Sequence, residues 1–195
     1  MKKLLLALFV LISGTMFSQV INEELTEKAW LDDEPKTIFG NKVTMVFGEP
    51  AGRQATVNTA QITTVAYKTT EQLIEKTKKL AAKENWPEEK TNEEIELINN
   101  EAPGGRLYIY ITRENESRAN AKWFFVIFRD LKDKGKITEI DLPYKAPQLP
   151  QGKGWWNYIE VNIDKPLPSS FYVYLNDRQS DQLSDFKFLI NTSRQ

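Results

Sequence analysis

The stretch Trp155–Asn176, W-W-N-Y-I-E-V-N-I-D-K-P-L-P-S-S-F-Y-V-Y-L-N, decides the fold class. Its odd positions, Asn157, Ile159, Val161 and Ile163, then Phe171, Val173 and Leu175, are apolar apart from the asparagine. Its even positions, Trp156, Tyr158, Glu160, Asn162, Tyr172, Tyr174 and Asn176, are aromatic or polar. Strict alternation marks a half-buried strand, because successive side chains point to opposite faces. The two runs flank K-P-L-P-S and read as a hairpin. With Asp164 facing Ser170, Asn162 falls opposite Tyr172, Glu160 opposite Tyr174 and Tyr158 opposite Asn176, and a slip of one residue would turn the apolar set outward. The six apolar side chains gain roughly 1.5–3 kcal/mol each on burial. Ordering the backbone costs roughly 1–2 kcal/mol per residue. The pair therefore needs a larger sheet and a second layer.

Working outward, more strands appear. Thr37 to Phe47 alternates through Val43, Met45 and Phe47, and G-E-P-A-G at 48–52 closes it as a turn. Gln54 to Lys68 is rich in threonine and valine and suits a pleated surface. Arg106 to Thr112 alternates Leu107, Ile109 and Ile111 with Tyr108 and Tyr110. Trp123 to Phe128, W-F-F-V-I-F, is apolar on both faces and reads as a central strand with helices over its far side. Lys136 to Leu142 is shorter, and Asp185 to Thr192 closes the fold through Phe186, Phe188 and Ile190. The proline-rich connection from Pro143 to Gly154 is long enough to cross between sheets.

One helical excursion interrupts this order. Thr69 and Gln72 have capping-box spacing, and Leu73, Thr77, Leu80, Ala81 and Glu84 trace one helix side that should stop at Trp86-Pro87. Thr91 with Glu94 repeats the cap signal before Ile95, Leu97 and Ile98, and A-P-G-G at 102–105 ends that second helix. The expected fold is mainly β: a β-sandwich of jelly-roll or Greek-key type with a two-helix insertion at about 69–101. An α+β fold with one helix-covered sheet is the alternative.

Residues 1–18 read as a cleavable signal peptide, with Lys2 and Lys3 ahead of an apolar run from Leu4 to Ile12 and a small, polar stretch to Ser18. Nine apolar residues fall short of the ~20 a membrane-spanning helix needs. Residues 19–36 form an acidic lead-in arm that Trp30 could pin, and 37–195 a single domain. Export to periplasm or exterior is expected, with stability from an ordinary core, since there is no cysteine to bridge. Removing two lysines takes the formal charge from -1 to -3, which makes nucleic acid a poor partner.

The absence of histidine and cysteine excludes triad nucleophiles, the usual zinc sites and thiol redox. No phosphate-cradling or dinucleotide fingerprint appears, so no cofactor is expected. Carboxylates on one strand face, Glu139 with Asp141 and Glu160 with Asp164, could support glycoside hydrolysis, and Asp177, Asp181 and Asp185 could gather calcium. With 27 acidic residues such pairs arise by chance, so the expected function is non-enzymatic, and no metal site is expected. The remaining candidate is the aromatic face. Trp155, Trp156, Tyr158, Glu160, Tyr172 and Tyr174, joined by Tyr108 and Tyr110, would present rings suited to sugar stacking or to a protein partner.

The last ~90 residues, with W-W-N-Y-I-E-V, D-K-P-L-P and F-Y-V-Y-L, resemble the closing hairpin of galactose-binding-like jelly-roll accessory modules in secreted bacterial proteins. That resemblance implies an export-associated binding or assembly module, and the rings make a glycan or an envelope protein the expected partner. An envelope structural subunit that oligomerises through the same face, or a carboxylate-based hydrolase, is the alternative.

Overall fold

The computed structural model describes residues 36–47, 62–148, 154–179 and 186–192. The signal peptide, the arm with Trp30, the G-E-P-A-G turn and the first half of the 54–68 segment lie outside the described residues.

Among the described residues nine strands and two α-helices follow in order. They are β1 (Lys36–Ile38), β2 (Asn41–Phe47), β3 (Ile62–Lys68), α1 (Thr70–Glu84), α2 (Glu88–Glu101), β4 (Arg106–Arg113), β5 (Phe124–Arg129), β6 (Lys136–Asp141), β7 (Trp155–Asn162), β8 (Ser170–Asp177) and β9 (Phe186–Asn191). A six-stranded sheet runs β1-β2-β9-β8-β5-β6, a three-stranded sheet runs β3-β4-β7, and all pairings are antiparallel. The fold is mainly β, a sandwich with a two-helix insertion.

Both runs of the deciding stretch are strands, but they do not pair with each other. β7 pairs with β4 in the small sheet, and β8 lies between β5 and β9 in the large one. The expected register of Glu160 against Tyr174 is therefore replaced: Glu160 faces Tyr108, and Tyr174 faces Ile127 and Lys187. The turn chemistry gives a reason. Pro166 and Pro168 cannot donate to a ladder, so the connection arches between layers. Its start is anchored elsewhere, where Gly104 N donates to Ile163 O at 2.9 Å and Ile163 N donates to Gly105 O at 3.0 Å. Splitting the runs lets Ile159, Val161 and Ile163 share one core with Phe171, Val173 and Leu175 from the opposite sheet. The layers meet at ring contacts such as Tyr67 on Phe171, 5.2 Å between centroids.

Other expectations shift in detail. The first strand is broken at Phe39 and Gly40, both at positive φ, into the β1–β2 hairpin. The W-F-F-V-I-F run is not sealed on both sides: Phe124, Val126 and Phe128 are buried while Phe125 and Ile127 are half-exposed. The helices sit on the small sheet instead, where α1 packs against β3. α1 opens with the expected Thr69–Gln72 capping box and ends at Asn85 in a left-handed conformation. α2 begins three residues before the expected Thr91 cap, at Pro87-Glu88, and the Thr91 hydroxyl donates back to Pro87 O. Proline suits a helix start because its missing N–H has no intrahelical acceptor there.

The 143–154 connection does cross between sheets, from β6 to β7. Its first part runs beside the free edge of β7, with Gln148 N donating to Trp156 O at 2.8 Å, which protects an otherwise open edge. Asn157, the polar exception on the apolar face, is fully buried. Its Nδ2 donates to Ala119 O and Lys145 O and ties two loops to β7.

The A-P-G-G segment is thus a three-way joint, and Tyr67 Oη also donates to Gly104 O at 2.7 Å. Gly105 has φ +83, and a Cβ there would collide with the Lys68 carbonyl and the Tyr67 ring. Gly105→Ala is expected to destabilise by about 2–4 kcal/mol through strain and overpacking. Urea unfolding should show a lower midpoint at unchanged slope.

Candidate functional site

The aromatic residues singled out from the alternation separate into two places. Trp156 and Tyr158 stand on the outer face of the small sheet, away from the sandwich core, yet are only 5% and 7% exposed. Tyr108 beside them is 2% exposed. Tyr172 and Tyr174 stand on the outer face of the large sheet and are half-exposed. Trp155 is half-buried at the start of β7, opposite Arg113. The single ring-bearing surface expected across both strands does not form, because the strands belong to different layers.

On the small sheet the rings pack diagonally across β4 and β7. Tyr108 stacks with Tyr158 at 6.2 Å, and Tyr110 lies 6.1 Å from Trp156. Such diagonal pairs are what cross-strand geometry brings within reach of large side chains. Phe39, at the tip of the β1–β2 turn, meets Tyr108 edge-on at 5.3 Å, and the Lys68 ammonium sits 4.1 Å above the Phe39 ring. Gln72 holds that tip in place: its Nε2 donates to Phe39 O, and its Oε1 accepts from Asn41 Nδ2. Burial, and after it the nearby Glu160 charge, pushes the Tyr108 and Tyr158 hydroxyls well above the ordinary phenol range. Among the described residues the buried Trp156 Nε1 has no hydrogen-bond partner.

Next to this face a cleft of about 210 Å³ opens between the helix pair and the sheet. Its α1 wall is Leu73, Lys76, Thr77 and Leu80, its α2 wall Glu94, Leu97, Ile98 and Glu101, and its floor Arg106, Tyr108 and Asn162, with Trp86 at the interhelix turn. Both walls follow i, i+3, i+4, i+7 spacing and so are single helix faces. On the floor Arg106 Nε donates to Asn162 Oδ1 at 2.7 Å, and Arg106 Nη1 meets Glu160 at 2.8 Å. Asn162 Nδ2 in turn donates to Glu101 at 3.3 Å. This chain links α2 to both strands. α2 has no buried residue, and Leu97 is 46% exposed. The cleft combines an apolar centre with a few fixed polar groups, as small-ligand and side-chain sites do.

The tyrosines of the large sheet carry a different arrangement. Tyr174 Oη donates to Asp133 Oδ2 at 2.5 Å, and Lys187 Nζ donates to the same oxygen at 2.8 Å. The Lys187 ammonium also lies 3.9 Å above the Tyr172 ring, and Arg129 lies 5.6 Å from the Tyr174 ring. This cluster fastens the Asp130–Gly135 turn to the sheet. Hydrogen bonds from Lys187 first and Tyr174 second hold the Asp133 carboxyl below its usual value.

The carboxylates considered for catalysis are engaged separately. Glu139 pairs with Lys136, Asp141 with Arg178 and Glu160 with Arg106, while Asp164 accepts from the Thr138 hydroxyl. Asp177 accepts from Gln179 N; Asp181 and Asp185 lie outside the described residues. Among the described residues, no three acidic side chains gather where a cation would be held. No described helix is long and apolar enough to cross a membrane. The chain matches no family model, and no curated protein is detectably similar to it.

Of the cleft residues only Tyr108 belongs to the aromatic face expected from the sequence; the residues that the helices contribute carry no signal beyond helical spacing. The signal available was the narrow stripe of Ile95, Leu97 and Ile98 among glutamates, too little to seat a helix on a core.

Because Asp133 titrates lower in the folded protein, the stability it supplies is present above the ordinary value of 3.8 and is lost as the pH falls through the depressed folded value. Acid unfolding of Asp133→Asn should therefore start from a lower neutral-pH stability and show a shallower loss below that value than the unaltered chain.

Proposed function

We propose that the protein is an exported, non-enzymatic binding or assembly module that engages a glycan or protein ligand in the cleft between the helix pair and the aromatic outer face of the small sheet. Export rests on the signal-peptide pattern of residues 1–18. The observation that carries the site is α2. Leu97 is 46% exposed on a helix with no fully buried residue and stands over the cleft beside the partly buried Ile98, so apolar surface is left for something else to cover. Trp156 and Tyr158 lie on the same sheet face, and Tyr158 is stacked on the Tyr108 ring that lines the cleft. This moves the ligand surface from the full aromatic set to the part of it on β4 and β7. Tyr172 and Tyr174 are given a structural role in the Asp133 clamp. A non-enzymatic role fits a chain without histidine or cysteine, whose paired carboxylates are each tied to a cation or hydroxyl.

Oligosaccharides and envelope protein fractions titrated against the protein should change tryptophan emission through Trp86. Leu97→Ser and Arg106→Ala are expected to weaken that binding about tenfold, roughly 1.4 kcal/mol, while a Tyr172→Ala, Tyr174→Ala double variant leaves it within twofold. The opposite pattern would place the ligand on the large sheet and refute the cleft.

A further inference from the structure

α2 carries six glutamates, Glu88, Glu89, Glu93, Glu94, Glu96 and Glu101, against a single lysine. That lysine, Lys90, is drawn back over the Trp86 ring at 3.7 Å. The half-exposed Ile98 and the 46%-exposed Leu97 sit between Glu94 and Glu101 on the face that walls the cleft. The nearest floor cation, Arg106, is already met by Glu160. α1 nearly balances its lysines and glutamates, Lys79 pairs with Glu75, and Lys76 lines the cleft together with Glu94 and Glu101. The charge excess therefore lies along α2 as a whole, six glutamates against one lysine, a field that favours a cationic partner.

We propose that the occupant of the cleft is a cationic amphipathic protein segment, one that inserts an apolar side chain against Leu97, Ile98 and Tyr108 while flanking lysines or arginines meet the α2 glutamates. This rests on the cleft reading above and narrows its ligand to one class. The cleft volume, about 210 Å³, is on the scale of a single large side chain and suits an anchor residue better than an extended oligosaccharide. The mode is that of a helix or strand laid along a groove, with charge setting orientation and association rate.

The test is calorimetric titration with three synthetic amphipathic peptides of one spacing, pairing leucine with lysine, with glutamate or with glutamine. The lysine peptide should bind, its affinity should fall steeply with salt, and Leu97→Asp should weaken it about tenfold. A Glu93→Lys, Glu94→Lys, Glu96→Lys variant should prefer the glutamate peptide. All four positions are exposed or half-exposed, and circular dichroism verifies that the variants fold. If the glutamine peptide or an oligosaccharide binds as well as the lysine peptide and Leu97→Asp still weakens it, the cationic partner is wrong and the cleft stands. If no peptide and no oligosaccharide responds to Leu97→Asp, both are wrong.

Discussion

The three-stranded sheet carries large apolar and aromatic side chains on both faces, and the rest of the molecule is arranged to cover them. Its inner face, with Leu107, Ile109, Ile111, Ile159 and Val161, is sealed by the six-stranded sheet. Its outer face holds Tyr108, Tyr110, Trp156 and Tyr158, and a three-stranded sheet cannot leave that much ring surface in water. The β1–β2 tip, the helix pair and the edge-protecting 143–148 segment all converge on it. The Gly104–Gly105 joint matters because it hands the chain from α2 to β4 and fixes the end of β7 in one place.

The cover is uneven, and the functional reading follows from that unevenness. α1 commits Leu73 and Ala81 to full burial, whereas α2 half-buries Ile95 and Ile98, packs on α1, and is joined to the sheet through the polar chain Glu101, Asn162, Arg106 and Glu160. Most helical stability comes from packing an apolar face. A helix with only part of that support, and with Leu97 exposed beside a gap, is suited to completing its packing with a ligand. The large sheet lacks any described element over its tyrosines and handles them differently, by stacking Lys187 on the rings and bonding Asp133 to the hydroxyl and the ammonium.

Much of the fold was legible in the residues. Period-two alternation marked the strands, and Thr69 with Gln72 placed the helix start because the capping box is a local interaction. What alternation cannot encode is the sheet a strand joins. It states which side chains face a core, and β7 and β8 satisfy that requirement from opposite layers as well as from one. The same limit misled the reading of the rings: a non-core face is not the same as a wet one, as Trp156 and Tyr158 demonstrate. Asn157 looked like a flaw in an apolar run and is a loop tie, which only long-range partners could reveal. The cleft floor joins Arg106 to Asn162, 56 positions apart, and no local pattern connects them.

Because the chain contains no cysteine, single introduced thiols report exposure without interference. The most direct test is the rate of thiol labelling in the folded protein at Leu97→Cys compared with Tyr158→Cys. Position 97 should react rapidly, and position 158 only on the timescale of opening or unfolding. Fast labelling at 158 together with protection at 97 would mean that the rings of the small sheet are the open surface and α2 the sealed one, the reverse of the arrangement described.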